Sequence, residues 1–284
     1  MIRTGRLLLT ATLVATTFRV SLAAMPTPDA ATIRAQGERV YVTYCVGCHG
    51  EKGDGKGPAA DMLIVKPRDF TKGLFKFRST PTGTLPTDED LYRTITRGVN
   101  RTSMPEWSLL PDRERFAVVE YVKGFYPDWS KRGSGHSIYI PPVPADLGSP
   151  QSIARGRQLY EMLECGRCHG PEGLGDGPSA KTLAPDEWGN PQKPFNFTKG
   201  ALKSGGAPQD VYRTFMTGLN GTAMPSYAEI FDNPDGDSIK PGDAWNLVSY
   251  VLSLRKSTIP AHQVIAPPPA EVAKAATDAK EQVP

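Results

Sequence analysis

Every cysteine in this chain belongs to one of two identical patterns. Cys45-Val-Gly-Cys48-His49 and Cys165-Gly-Arg-Cys168-His169 use all 4 cysteines of the 284 residues. Cysteines three apart on a helical turn present both sulfurs on one side, and the histidine that follows projects its imidazole toward the same place. This is the spacing of covalent haem attachment, with two thioethers to the haem and the histidine as proximal iron ligand. Two disulfides, one four-cysteine zinc site or thioredoxin-like redox pairs would use the same cysteines. None of these explains a histidine after both pairs. The pairs are also too far apart for an ordinary structural zinc site, and no βαβ pattern surrounds them.

The chain repeats itself in register. Cys45 and Cys165 are 120 positions apart, and so are Met104 and Met224, which places each methionine 55 residues after its histidine. Asp90-Leu91-Tyr92-Arg93-Thr94 matches Asp210-Val211-Tyr212-Arg213-Thr214, Gly98 and Asn100 match Gly218 and Asn220, and Thr102-Ser103-Met104-Pro105 matches Thr222-Ala223-Met224-Pro225. Such a period implies two copies of one structural unit. A thioether is a soft ligand that raises the potential of haem iron, so Met104 and Met224 are the expected second axial ligands. Met62, Met162 and Met216 do not recur and are expected to pack. His136 and His262 fall in a linker and a tail, where solvation is expected.

Each half should be mainly α-helical. Ile33, Val40, Tyr41 and Tyr44 form an apolar stripe at helical spacing before the first cysteine pair, with Gly37 upstream of Tyr41. Gly156 and Tyr160 occupy the same places in the second half. Closing helices are expected around 116–122 and 245–251, and a glycine facing an aromatic would let first and last helices cross closely. Thr87-Asp-Glu-Asp90 reads as a capping-box start of a short helix that ends at Gly98. A glycine-rich turn follows each histidine (50–58 and 170–178). It suits backbone that must run close to a flat cofactor, and it lacks the Lys-Ser/Thr pair of a phosphate loop.

The two halves differ in places. Phe70-Thr-Lys-Gly73 matches Phe197-Thr-Lys-Gly200 at an offset of 127, so the second half gains seven residues before this point. Lys66, Arg68, Lys72, Lys76 and Arg78 alternate with Phe70, Phe75 and Phe77. This run suits a basic dock for an acidic redox partner, a pair of arginines (Arg68 and Arg78) on haem propionates, or a solvated loop.

The N-terminus, with Arg3 and Arg6 before the apolar stretch 7–18 and small residues at 21–23, reads as a secretory signal over 1–23. Arg19 interrupts an apolar run already too short to span a bilayer, so membrane association would require a retained N-terminus or a partner. Removing three arginines from a chain of net charge +3 leaves a balanced mature protein, which about four haem carboxylates would make mildly acidic. Nucleic-acid binding is therefore not expected.

These residues resemble class I c-type cytochromes, in particular the exported tandem two-haem kind, over about 30–126 and 150–256. The resemblance implies a mainly α fold of two tandem cytochrome c domains, each of about three main helices wrapped around a covalently bound haem c. It assigns Cys45, Cys48, Cys165 and Cys168 to the thioethers, His49 with Met104 to one iron and His169 with Met224 to the other. It further implies that the Pro58 and Pro178 carbonyls accept from the non-ligating nitrogens of His49 and His169. Expected boundaries are 27–127 and 150–258, with a Pro/Gly-rich linker over 128–149 and an Ala/Pro-rich tail over 259–284. With both iron faces occupied, the expected role is one-electron relay between a redox donor and acceptor. The protein would act in the periplasm or another exported location, as a carrier or as a subunit of a larger oxidoreductase complex, and not as an enzyme by itself. The alternative is a two-haem peroxidase, in which one iron opens a site for peroxide.

Overall fold

Asp29 opens the first helix by accepting the Thr32 backbone N–H at 2.7 Å, satisfying one of the donors a helix start leaves free. The computed structural model describes residues 29–233 and 237–256. The expected signal segment and the tail lie outside them. The first module runs through α1 (Ala30–Tyr44), α2 (Val46–His49), α3 (Asp88–Arg97), α4 (Asp112–Lys123) and α5 (Trp129–Arg132). The second runs through α6 (Pro150–Met162), α7 (Gly166–His169), α8 (Pro208–Thr217), α9 (Ala228–Asp232) and α10 (Asp243–Ser253). Among the described residues there is no strand, and no helix is long and apolar enough to cross a membrane.

In each module the first long helix crosses the last. A β-carbon on Gly37 would lie 2.0 Å from the Ala117 carbonyl oxygen, and one on Gly156 would lie 1.9 Å from that of Asn246. Only glycine permits these crossings, as its spacing from Tyr41 and Tyr160 implied. The aromatics complete the contact: Tyr41 meets Tyr121 at 5.3 Å between ring centroids, and Tyr160 meets Tyr250 at 5.2 Å. Helix α3 starts on the expected capping box, with Thr87 accepting from Asp90 N–H and Asp90 accepting in return, and it stops at Gly98 with φ of 65°. Its counterpart α8 starts at Ala207, which has no side-chain oxygen. Only the return bond forms there, from Ala207 N–H to Asp210 at 3.1 Å.

The segment 128–149 is not a free spacer. Trp129 packs edge-on against Phe75 in the first module's core, and the Ile138 N–H bonds the Ser79 carbonyl at 2.7 Å. Ile138, Ile140 and Leu147 then pack against the second module's core, and the Gly148 N–H reaches Ser249 at 3.1 Å. One strip of chain therefore lies first on one module and then on the other.

The basic run of the first module has the same destination. Arg78 is 1% exposed and donates to the Thr217 and Gly218 carbonyls of the second module at 2.6 and 3.3 Å. Lys76 pairs with Asp186 at 3.0 Å, Lys72 donates to the Glu187 carbonyl at 2.6 Å, and the Arg68 guanidinium stacks 3.6 Å above the Trp188 ring. From Arg68 to Arg78 the run is neither a solvated loop nor a free dock: the insert of the second half supplies the partners of Arg68, Lys72 and Lys76, and the end of α8 supplies those of Arg78. Of the non-recurring methionines, Met216 is buried in the core as expected, whereas Met62 and Met162 are surface residues, 79% and 48% exposed.

Candidate haem sites

Both histidines close a one-turn helix, and the same network holds them. Gly55 N–H donates to the His49 carbonyl at 2.9 Å and Gly57 N–H to that of Cys48 at 3.1 Å; Gly175 and Gly177 repeat this on His169 and Cys168 at 2.7 and 3.2 Å. Gly57 is required by contact: a β-carbon there would sit 2.5 Å from the Gly47 and Val46 carbonyl oxygens. The buried Tyr41 hydroxyl donates to the Gly50 carbonyl at 2.7 Å, and Tyr160 does the same to Gly170 at 2.7 Å. The glycine-rich turns are thus folded back on the cysteine-histidine helices and pinned by a phenol.

The imidazoles are positioned on two further sides. His49 stacks on Phe70 at 4.6 Å and His169 on Phe197 at 4.4 Å. The matched Phe-Thr-Lys-Gly segments signalled these phenylalanines, but sequence alone gave them no role. His49 Nδ1 lies 3.1 Å from the Arg68 carbonyl oxygen, and His169 Nδ1 lies 3.0 Å from that of Phe195.

This corrects the expectation for Pro58 and Pro178. The bonds that fix Gly57 on Cys48 and Ala59 on Gly47 tie residues 57–59 to the backbone of α2, and both prolines are left exposed. The carbonyls that serve instead lie at the 127-residue offset of the phenylalanines. A β-carbon on Gly55 would stand 2.8 Å from the Pro67 carbonyl, and one on Gly175 would stand 2.6 Å from that of Pro194. The segments carrying the acceptors therefore press directly on the glycine turns.

The donor set suits haem and argues against thiol chemistry. With its Nδ1–H donated, each imidazole keeps its Nε2 lone pair for a metal. Burial pulls both histidines below their ordinary pKa, toward the neutral form a metal needs. No cysteine pairs with another. Burial also pushes Cys45 up to about 12 and Cys165 up to about 11, the opposite of an activated redox thiol.

The two methionine loops have one geometry. Val99 N–H donates to the Met104 carbonyl and Leu219 N–H to the Met224 carbonyl, both at 3.1 Å, while Thr102 and Thr222 hydroxyls accept the methionine N–H groups at 3.1 and 3.2 Å. Met224 and Cys165 pack against the same core cluster. Each loop also contacts the opposite module. Asn100 donates to the Leu202 carbonyl at 2.8 Å, and Asn220 accepts the Gly83 N–H at 3.2 Å. The sequence match flagged both asparagines without revealing this role. Between the loop roots lies a cleft lined by Lys76, Arg78, Arg93, Arg97, Lys203 and Arg213. Asp90 and Asp210 compensate only part of this charge, and the Nε atoms of Arg97 and Arg213 are buried without a partner.

Two helical modules, each with a half-buried histidine after an unpaired cysteine pair and a methionine loop, define a tandem class I c-type cytochrome. Residues 33–122 match the family described as cytochrome c oxidase, cbb3-type, subunit III, and residues 153–255 match the cytochrome c family. A solved chain from the reducing HAO-like protein complex of Kuenenia stuttgartiensis is 41% identical. The match covers 82% of this chain and 100% of that one, with a TM-score of 0.72. No curated protein matches significantly. The chain belongs to the dihaem class I c-type cytochromes, binds two covalent haem c groups at its two cysteine pairs, and transfers electrons.

Proposed function

We propose that this chain is the electron-transfer subunit of a larger exported oxidoreductase complex, with His49 and Met104 on the iron of one haem and His169 and Met224 on the other. Each haem, when bound, supplies a one-electron ferric/ferrous couple. The chain's contribution is to hold its own ligands still. Arg68 and Phe195 carbonyls orient the imidazoles, Phe70 and Phe197 block their rotation, and the threonine-braced loops present the two sulfurs. The cationic cleft between the loop roots would favour haem carboxylates, with the unpartnered Arg97 and Arg213 Nε–H groups as donors.

The observation carrying this reading is the equivalence of the two methionine loops, each braced by its own threonine and by the other module. Both loops share this bracing, which favours relay over the peroxidase alternative. The similarity to a chain from a reducing HAO-like complex supports a complex subunit over a free shuttle. Three measurements test it. The reduced protein should fail to bind carbon monoxide promptly at either haem, and native purification should recover the chain with a larger oxidoreductase. Prompt carbon monoxide binding at one haem would favour the peroxidase, and recovery only as a free monomer would favour a soluble carrier. Mass spectrometry of the mature chain, showing loss near Ala23 and the mass of two haems, tests export.

A further inference from the structure

The two histidines are held by equivalent carbonyls, but the residues bearing them are secured differently. Phe195 packs its ring into the second module's own core, so the His169 bond is internal to that module. Arg68 instead sends its side chain across the interface onto Trp188. Trp188 stands on the insert that only the second module has. Asp186 accepts the Trp188 and Asn190 N–H groups at 3.2 and 2.9 Å, and Glu187 N–H bonds the Gly221 carbonyl at 3.0 Å. A β-carbon on Gly221 would stand 2.5 Å from the Trp188 ring, so this platform rests directly on the loop that carries Met224. Lys72 on the Glu187 carbonyl and Lys76 on Asp186 pull the insert and the Arg68 segment together from two other points.

We propose that Trp188 is a positioning residue for His49: through the stacked Arg68 it sets the hydrogen bond that holds the first module's axial histidine, so the second module tunes the first through this contact. The inference rests on His49 being an iron ligand. A stronger Nδ1–H···O bond makes an imidazole a better donor and favours ferric iron. Loosening Arg68 should therefore raise the reduction potential of the first haem.

The test is a redox titration of the holoprotein, with each potential assigned to its haem through separate Met104→Ala and Met224→Ala variants. Trp188→Ala should shift the first haem's potential upward by a route that requires Arg68; its effect on the second haem, through the Gly221 contact, is independent of Arg68. Trp188→Phe, which keeps a ring beneath the guanidinium, should restore most of the wild-type value. In an Arg68→Met background the Trp188→Ala shift should disappear. The inference is overturned if the first potential stays put, or if its shift survives in the Arg68→Met background. Electron paramagnetic resonance keeps the underlying assignment separate. Absence of a low-spin histidine-ligated signal from the first haem in the wild-type protein would sink the ligand reading and the inference with it. Its presence with an unmoved potential would sink the inference alone.

Discussion

Asn100 and Asn220 stand at the same place in their repeats and cross the module interface in opposite directions, one donating to the Leu202 carbonyl at 2.8 Å, the other accepting the Gly83 N–H at 3.2 Å. Each lies a few residues before its methionine, so docking the modules also braces both methionine loops. Asn100→Ala removes one such bond and should cost about 1 kcal/mol in chemical denaturation. The sulfur-to-iron charge-transfer band of the first haem should weaken before that of the second. An unchanged band and midpoint would show that the Met104 loop stands without its partner module.

Arg78 makes the strongest demand on the interface. It is 1% exposed, burial lowers its pKa, and two of its bonds end on second-module carbonyls. Arg78→Met removes two charge-assisted bonds across the interface, and a loss of about 2 kcal/mol is expected, since the Thr82 and Thr217 hydroxyls still reach those carbonyls. Calorimetry should then resolve two transitions where the docked wild-type modules should give one, since each module retains its own core. A single transition at the wild-type temperature would contradict the assigned role.

The parts of this molecule legible in the sequence are those fixed by short spacing. The cysteine-histidine patterns, the capping box at Thr87, the glycines at the helix crossings and the 120-residue register all depend on neighbours within a turn or on direct comparison of the halves. The acceptor for His49 was misassigned because the glycine turn brings two segments near the ring, and only the folded backbone decides which carbonyl faces it. The basic run around Arg68 and Arg78 was ambiguous for a similar reason. Its partners, from Asp186 to Gly218, lie more than 100 residues away, and no local signal ties them together.

Gly37 tests the helix crossing. Since a β-carbon would overlap the Ala117 carbonyl oxygen, Gly37→Ala must force α1 away from α4, at a cost of at least ~2 kcal/mol. Thermal unfolding should then split, with the first module melting below the second, and Gly156→Ala should reverse the order. Wild-type stability in Gly37→Ala would mean that the helices do not meet this closely.

Tyr41 and Tyr160 give the protein an alkaline limit. Burial raises both phenol pKa values above the ordinary value of 10, so the folded chain keeps protons that the unfolded chain releases. Stability from these groups is complete below about pH 10 and falls as pH rises above it, because the unfolded state gains by ionising. Equilibrium unfolding followed from pH 8 to 11 should show this decline. Tyr41→Phe/Tyr160→Phe should flatten the slope while losing about 1 kcal/mol per hydroxyl at neutral pH, where the Gly50 and Gly170 carbonyls lose the phenol and keep only the Gly53 and Gly173 N–H groups. A slope unaffected by the double substitution would assign the alkaline loss to other groups.

The histidine geometry makes Pro58 and Pro178 dispensable in a measurable way. Both are exposed, and the acceptors of the His49 and His169 Nδ1–H groups are the Arg68 and Phe195 carbonyls. Pro58→Ala should leave the first haem's reduction potential unchanged, since the substitution touches neither bond. Fixing segment 67–68 matters more. Gly55→Ala would drive a β-carbon to 2.8 Å from the Pro67 carbonyl at a residue with φ of 74°, displacing the neighbouring Arg68 carbonyl from the ring. The weakened bond should make His49 a poorer donor and move the first potential upward. A potential that responds to Pro58→Ala and not to Gly55→Ala would return the hydrogen bond to the proline.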